Sequence, residues 1–239
     1  MAGELLQVQG VVKRFGGFTA LNRVSLHVKA GERFGLIGPN GSGKTTLINC
    51  ISGALHADEG QILFDGRDIT RLVAHQRTRL GIARSFQIPK PFTSMTVREN
   101  LGIPLEYAAR TRAHDEDAEA AQILRDIGLD AKAHLRPAGL TQIEMRKLEL
   151  ARAMAARPKL LISDEAMAGL SSAEVDDILA ILFRMSAQGI TIIMIEHIMR
   201  AVMRFSERIV VLDAGERIAE GTPDEVVRNA AVEKAYLGE

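Results

Sequence analysis

Residues 38–46 read Gly-Pro-Asn-Gly-Ser-Gly-Lys-Thr-Thr and follow a compact apolar stretch, Arg33 to Ile37. Residues 38–45 match G-x-x-x-x-G-K-[ST], a pattern whose glycines let backbone N–H groups close around phosphate oxygens. Helical spacing runs from Thr45 to Ser52, and Gly53 can end that helix. Strand, glycine loop and helix in this order predict a phosphate-binding loop (P-loop) at a helix N-terminus.

The residue types within this loop have separate predicted tasks. Lys44 should reach the β and γ phosphates of ATP, and the Thr45 hydroxyl should coordinate Mg²⁺. The loop residues expected to bind ATP are Gly38, Pro39, Asn40, Gly41, Ser42, Gly43, Lys44, Thr45 and Thr46.

A second motif lies in residues 159–165, Lys-Leu-Leu-Ile-Ser-Asp-Glu, an apolar strand that ends in two carboxylates. Neighbouring side chains on a strand point to opposite faces, so Asp164 and Glu165 can take different tasks. We expect Asp164 to hold Mg²⁺ through water, as in a Walker B element. Glu165 should orient and deprotonate an attacking water. Acids after a strand are often solvated loop residues, and the upstream P-loop is what favours catalysis.

A third apolar strand, Thr191 to Ile195, leads into Glu196 and His197. A histidine at a strand end is most often an ordinary surface or core residue. Here its position suits a histidine that contacts the γ-phosphate, so His197 is a third catalytic candidate beside Glu165 and Lys44.

The pattern of the whole chain predicts an α/β fold with a mostly parallel, RecA-like sheet. Residues 4–30 alternate as an antiparallel β opening with a turn at Gly16-Gly17, and residues 92–135 have helical spacing. Strands and helices alternate again from Leu160, which is typical of a parallel sheet with crossover helices. We expect one domain over 1–239: a catalytic core with a β subdomain (4–91 and 157–222), a helical subdomain (about 92–156) and a C-terminal helical tail (223–239).

These motifs, over essentially the whole chain, resemble the nucleotide-binding subunits of ATP-binding cassette (ABC) transporters. The resemblance implies that Phe15 stacks on adenine, although a core aromatic is the alternative interpretation. It implies that Gln87, in Arg84-Ser-Phe-Gln, touches Mg²⁺ and the catalytic water, and that His197 is the switch histidine. The expected cofactors are ATP and Mg²⁺.

Finer features resemble the ATPases of branched-chain amino acid importers. These are Gly81-Ile-Ala-Arg-Ser-Phe-Gln, Met95-Thr-Val-Arg-Glu-Asn, Ala168-Gly-Leu, Ala219-Glu-Gly-Thr-Pro and Ala235-Tyr-Leu-Gly-Glu. We therefore expect an ATP-hydrolysing subunit of an importer for branched-chain or related amino acids. A transporter for another small solute, such as urea or amides, is an alternative.

The element that should complete a partner's ATP site departs from the family pattern. Leu-Ser-Gly-Gly-Gln aligns here with Leu140 followed by Thr141, Gln142, Ile143 and Glu144. Thr141 and Glu144 also form a capping-box pattern, which predicts a sound helix start. Since Ile143 replaces a glycine and Glu144 adds a carboxylate, both should weaken a phosphate contact. Ala166, Ser171 and Ile198 depart from the family pattern too.

The resemblance also implies partners: a second ABC ATPase subunit and transmembrane permease subunits. In the family two cassettes pair head to tail, so the altered element favours a heterodimer, although a homodimer is an alternative. Pro89, Pro91, Phe92 and Met95 would press on a permease or belong to the subdomain core. The N-terminal residues lack signal-peptide features, so we expect a cytoplasmic protein, peripheral on the inner face of the membrane.

Composition excludes several other classes. The 239 residues carry 30 basic and 30 acidic side chains, so no net field attracts nucleic acid, and none is expected as a partner. The single cysteine, Cys50, suits a small buried residue. A soluble ABC-type ATPase not coupled to transport remains an alternative, but no long coiled-coil insertion fits between residues 47 and 139. A small-molecule kinase would not need Gln87, Glu165 and His197 together.

Overall fold

The computed structural model describes residues 3–86, 88–109 and 113–237. Its strands are β1 (Glu4–Phe15), β2 (Phe18–Lys29), β3 (Arg33–Ile37), β4 (Glu59–Phe64), β5 (Arg67–Asp68), β6 (Ile82–Ser85), β7 (Leu160–Asp164), β8 (Thr191–Ile195), β9 (Arg208–Asp213) and β10 (Glu216–Gly221). Its helices are α1 (Lys44–Ser52), α2 (Ala74–Leu80), α3 (Glu99–Pro104), α4 (Ala113–Ile127), α5 (Gln142–Ala155), α6 (Ser172–Ala187), α7 (Met199–Phe205), α8 (Pro223–Val227) and α9 (Ala230–Leu237). A π-helical turn, Leu105–Ala109, continues α3.

The strands form two sheets. One has the order β10-β9-β3-β8-β7-β6, in which β6 to β9 and β3 run parallel and β10 is an antiparallel edge. The other is antiparallel with the order β2-β1-β4-β5. The predicted α/β class, parallel sheet and β opening are therefore confirmed. The strands β4, β5, β6 and β10 were not predicted from the sequence, because they are short or carry exposed polar residues.

The parallel sheet is buried on both faces, which explains the nearly continuous apolar runs of its strands. Along β8, Ile192 and Met194 pack with helices α5, α6 and α7, whereas Ile193 and Ile195 pack with α1 and the antiparallel sheet. This alternation follows the two-residue repeat of a strand. The sheet thus separates two hydrophobic cores and holds its strand ends rigidly.

A buried arginine fixes the C-terminal end of the P-loop helix. Arg77 on α2 is fully buried and donates to the carbonyl oxygens of Cys50 and Ile51, the last turn of α1. It also donates to the carbonyls of Leu72 and Thr70. The last carbonyls of a helix lack partners within the helix, so this guanidinium satisfies them inside the protein. Cys50 is itself buried, as predicted.

Replacing Arg77 by methionine should destabilise the fold, because the carbonyls that accept from the guanidinium would stay buried without donors. We expect R77M to lower the free energy of unfolding by about 3 kcal/mol, measured by urea denaturation. R71M is the matched control, since Arg71 is exposed on the same connection. Equal urea midpoints for the two variants would contradict this role of Arg77.

Candidate nucleotide site

The loop between β3 and α1 needs glycine at two positions where the backbone is left-handed or closely approached. Gly38 has φ +152°, and a Cβ there would lie 2.1 Å from the carbonyl oxygen of Leu212. Gly43 has φ +101°, and a Cβ there would lie 2.8 Å from the carbonyl oxygen of Ala20. Neighbouring backbone therefore shapes the loop from outside, and only glycine fits this shape.

The loop is tied to the hairpin between β9 and β10. Ser42 is buried, its N–H donates to Pro39 O at 3.2 Å, and its carbonyl accepts from Gly215 N at 3.1 Å. Asn40 and Gly41, at the loop tip, are exposed, and Thr46 is half-buried on α1. The predicted phosphate-binding residues therefore form one continuous loop with a solvent-facing tip.

Lys44 is the first residue of α1, directly after this loop, and it lies near the acid pair. Its Nζ donates to the carbonyl oxygens of Gly38 at 2.8 Å and Pro39 at 3.0 Å, and the residue is buried. Burial lowers the pKa of Lys44, and the nearby carboxylates of Glu165 and Asp164 oppose that shift. The two motifs, distant in sequence, thus share one electrostatic environment.

Asp164 ends β7 and is paired with an arginine that the sequence analysis gave no role. Arg84 on β6 donates to Asp164 Oδ2 at 2.6 Å and to Asn49 Oδ1 on α1 at 2.7 Å. Both side chains of the ion pair are only 11% exposed. Arg84 therefore links the Walker B strand to the P-loop helix. A charged residue inside the apolar strand Ile82–Ser85 is the signal that could have drawn attention to it.

Glu165 and His197 are in direct contact. His197 Nε2 lies 2.9 Å from Glu165 Oε1, and the His197 side chain is about half exposed. Glu165 has φ +48°, an uncommon left-handed conformation for a residue with a side chain. Its N–H donates to Ile195 O at 2.9 Å. The structure thus brings the two predicted catalytic side chains together at the ends of β7 and β8.

Glu196, between Ile195 and His197, is a further acid that the sequence analysis did not assign. It is 3% exposed, and its Oε1 accepts the Met167 N–H at 2.9 Å. Burial, with a smaller contribution from the Glu165 carboxylate, raises the pKa of Glu196 to about 7. A glutamate directly after four consecutive apolar residues, Ile192 to Ile195, is the signal that could have drawn attention to it.

The residues present fit a magnesium ion held mainly by nucleotide phosphates. Thr45 offers a hydroxyl and Asp164 a carboxylate, both hard oxygen ligands of the kind Mg²⁺ prefers. Among the residues that the structure describes, no three His, Cys, Asp or Glu side chains cluster as a metal site. Gln87, the other predicted ligand, lies outside the described residues.

Phe15 ends β1 at the tip of the β1–β2 hairpin. Its ring is about half exposed, and Lys13 Nζ lies 5.5 Å from the ring centroid. Phe15 pairs with Phe18 across the hairpin, and Phe18 is also exposed. The alternative of a core aromatic is therefore wrong, and the ring is accessible to a ligand. Stacking on adenine stays a prediction.

The altered signature element forms the capped start of α5. Thr141 Oγ1 accepts from Glu144 N, and Glu144 Oε2 accepts from Thr141 N at 2.8 Å, which confirms the capping box. Lys132 Nζ lies 2.7 Å from the Glu144 carboxylate and lowers its pKa. The Glu144 carboxylate therefore has a local cationic partner, and its weakening of a phosphate contact stays a prediction.

The next two residues of this element also have local contacts. Ile143 packs against the core that contains α5 and α6. Gln142 packs close to Gly169, in the segment after the acid pair: a Cβ added to Gly169 would lie 2.8 Å from the Gln142 amide nitrogen. Arg146, one turn along α5, donates to Ala168 O at 3.3 Å. The start of α5 therefore contacts the 168–169 segment of its own chain.

The helix after this segment begins in a similar way. Ser171, which departs from the family pattern, caps α6: its hydroxyl accepts from Glu174 N. Ser171 therefore has a structural task in starting α6.

A P-loop after β3, an acid pair at the end of β7 and a histidine after β8 define a P-loop nucleoside triphosphatase. Comparisons with known proteins agree with this class. Residues 21–168 match the family model described as ABC transporter, and residues 216–239 match the one described as branched-chain amino acid ATP-binding cassette transporter.

Among curated relatives, the branched-chain amino acid transport ATP-binding protein BraF of Pseudomonas aeruginosa is 37% identical, covering 100% of both chains. The probable LivG of Archaeoglobus fulgidus is 39% identical, covering 98% of this chain and 96% of its own. The chain therefore belongs to the ABC transporter family, and it is an ATP-hydrolysing cassette of that family.

Solved structures agree. A nucleotide-free cassette of an ABC transporter superposes with a TM-score of 0.89 at 33% identity, covering 99% of this chain and 100% of that chain. A dimeric cassette in a post-hydrolysis state with ADP and phosphate has a TM-score of 0.81 at 26% identity, covering 91% of this chain and 98% of that one. Dimerisation is thus a property of cassettes with this fold.

Substituting Gly43 by alanine should abolish the loop's shape while leaving the sheets intact. The new Cβ would clash with Ala20 O at 2.8 Å, and φ +101° would be strained. We expect G43A to weaken binding of a fluorescent ATP analogue by at least about tenfold, a cost of about 1.4 kcal/mol. G102A is the control, since a Cβ on Gly102 meets nothing within 4 Å. Unchanged affinity in G43A would refute this account of the loop.

Proposed function

We propose that this chain is the ATP-hydrolysing subunit of an importer for branched-chain or related amino acids. The observation that carries the proposal is the 2.9 Å contact between Glu165 and His197, formed beside a P-loop lysine whose pKa responds to the same acid pair. A base, its histidine partner and a phosphate-binding lysine are the groups that nucleotide hydrolysis needs.

The residues have separable tasks in this proposal. Backbone N–H groups of the P-loop and the Lys44 ammonium bind the phosphates. Glu165 accepts the proton of the attacking water. The water oxygen bonds to the γ-phosphorus of ATP while the bond from that phosphorus to the β–γ bridging oxygen breaks, which gives ADP and inorganic phosphate. His197 holds the Glu165 carboxylate at 2.9 Å and can also donate to a γ-phosphate oxygen. Mg²⁺, held by Thr45, Asp164 and Gln87, would neutralise developing charge on the phosphates.

The amino-acid class of the solute rests on the relatives. Both curated relatives described above carry branched-chain amino acid transport in their names, and the C-terminal residues match a family model for that group. The proposal concerns the transporter as a whole, because an ATP-binding subunit need not contact the solute.

A groove beside the P-loop core supports a permease partner. It has a volume of about 380 Å³ and lies between α2, β6, the π-turn and α5. Its apolar lining includes Phe86 and Tyr107, which are 41% and 57% exposed, and Ile88 nearby is 72% exposed. Arg152 on α5 donates to Lys90 O at 2.8 Å, and its guanidinium lies over the ring of Phe92.

An amphipathic cytoplasmic segment of a permease fits this groove, and its docking would act on the residues around Gln87. No helix within the described ranges is both long and apolar enough to cross a membrane. The membrane-spanning part of the importer would therefore be supplied by the permease subunits, with this chain peripheral on the cytoplasmic face.

Substitution of the proposed base should separate binding from hydrolysis. We expect this chain, mixed with a cassette that has an intact signature, to release ADP and inorganic phosphate in the presence of Mg²⁺, and E165Q to lower that rate by about 10²-fold or more while it still binds ATP. Phosphate release and binding of a fluorescent ATP analogue are the measurements. Transfer of the phosphate to a small-molecule acceptor would instead support a kinase, and full hydrolysis by E165Q would refute the assignment of Glu165.

In our proposal this chain pairs with a different ABC ATPase subunit, so that the two cassettes form a heterodimer. In a head-to-tail dimer the start of α5 faces the partner's nucleotide, and here Ile143 stands where a glycine would allow close backbone approach. The Glu144–Lys132 ion pair occupies the same helix start. This chain's own P-loop would therefore be completed by a subunit with an intact signature.

Mixing experiments test the unequal dimer. Hydrolysis should be low for this chain alone and rise on adding a cassette with an intact signature, and that rise should depend on Glu165. In the chain alone, I143G/E144Q should raise hydrolysis, although a glycine inside a helix costs about 1 kcal/mol of stability. Full activity of the unmodified chain as a homodimer would exclude the heterodimer.

A further inference from the structure

The loop that follows the catalytic acid is held by three consecutive residues at the end of β8. The Ile195 carbonyl accepts from Glu165 N at 2.9 Å, and the His197 ring contacts Glu165 Oε1 at 2.9 Å. Between them, the Glu196 carboxylate accepts from Met167 N at 2.9 Å. Two of these contacts hold Glu165 itself, and the third holds the chain two residues further on.

The Glu196 contact is entirely inside the protein. Glu196 is 3% exposed, Met167 is fully buried, and Ala166 between the acid and Met167 is 3% exposed. A carboxylate buried in this way costs free energy unless it is well bonded, so an ordinary core position would carry an apolar residue. The carboxylate is placed where it satisfies the N–H of Met167, which no water can reach.

The backbone at Glu165 gives this bond a purpose. Its φ of +48° is an unfavourable, left-handed conformation for a residue with a side chain. Such a conformation persists only when neighbouring contacts hold both ends of the segment. Ile195 holds the near end, and Glu196 holds the far end through Met167. Residue 166 is alanine, so no proline ring restricts the backbone between Glu165 and Met167.

We propose that Glu196 is a positioning residue, whose side-chain oxygen anchors the Met167 N–H and thereby keeps the Glu165 carboxylate aimed at the attacking water. This proposal rests on Glu165 as the base of the proposed function. The task requires a hydrogen-bond acceptor and not a negative charge. A displacement of a catalytic group by about 1 Å can cost about 10²-fold in rate.

Two substitutions at position 196 separate acceptor from charge. E196M keeps similar volume but offers no acceptor, so kcat for ATP hydrolysis, measured in the mixture with an intact-signature cassette, should fall by about 10²-fold with little change in affinity for a fluorescent ATP analogue. E196Q keeps a carbonyl oxygen and loses the charge, so it should retain most of the wild-type kcat. A fall in kcat without loss of nucleotide affinity is the signature of misplacement, because a merely unstable protein would lose both.

E32M is the matched control. Glu32 is a buried glutamate at the opposite, amino-terminal end of the sheet, where it pairs with Arg208 at 2.8 Å. E32M should lower the melting temperature while leaving kcat unchanged. E165Q, measured in parallel, tests the base itself: if E165Q retains hydrolysis, the proposed function fails whatever Glu196 does.

The same series can overturn the positioning role. Equal losses in E196M and E196Q would show that the charge matters and not the acceptor, and wild-type kcat in E196M would remove the role altogether. If E196M does not fold, hydrogen exchange decides the question. The Met167 amide of the wild-type protein and of E196Q should exchange as slowly as amides in β8, and fast exchange in the folded wild type would refute the bond.

Discussion

The order of three parallel strands determines everything at this site. β8 lies between β3 and β7, with Gly35 opposite Met194 and Asp164 opposite Ile195. The carboxyl ends of these strands therefore meet at one edge, as they do where open α/β sheets bind ligands. The P-loop follows β3, Asp164 ends β7 with Glu165 directly after it, and His197 is the second residue after β8. Two hydrophobic cores clamp the strands from both faces, so the edge can hold polar groups without losing its shape.

Buried charges then connect the strand ends to one another. Arg84 on β6 joins Asp164 to α1, and Glu196 after β8 joins the loop after β7. Burying a charged side chain costs free energy. Here each buried charged side chain contacts a group that must keep a fixed position. Arg77 has a comparable structural task at the far end of α1. Both arginines thus hold the C-terminal half of the P-loop helix, at Asn49, Cys50 and Ile51.

Sequence reasoning located the motifs because each combines a short-range pattern with a strand. The glycines of the P-loop, the apolar runs before Asp164 and His197, and the capping box at Thr141 are all readable from adjacent residues. The strands β4 to β6 were not: exposed polar positions such as Glu59 hide the alternation of β4, and β5 and β6 are only two and four residues long. The partners of the site residues were also missed. Arg84 and Asp164 are distant in sequence, and only the pairing of β6 with β7 brings them together.

The partner of Glu144 was also missed, because it too comes from another part of the chain. From the sequence alone, the Glu144 carboxylate was expected to weaken a phosphate contact. In the structure, Lys132 from a separate 3₁₀ turn pairs with it, which no pattern along α5 could indicate. Local patterns therefore predict which residues begin a helix or bind an ion. The partner that neutralises a charged side chain depends on tertiary contacts, which such patterns do not contain.

In the proposed function, ATP hydrolysis at this site drives amino-acid import. The most direct test reconstitutes the chain with its permeases, a partner ATPase and a solute-binding protein in lipid vesicles, and measures ATP hydrolysis with and without solute. We expect leucine, isoleucine or valine to stimulate hydrolysis and to accumulate on the side of the vesicle membrane opposite the solute-binding protein. E165Q should abolish both the stimulation and the accumulation. Hydrolysis that ignores these amino acids, or responds to urea or amides instead, would contradict it.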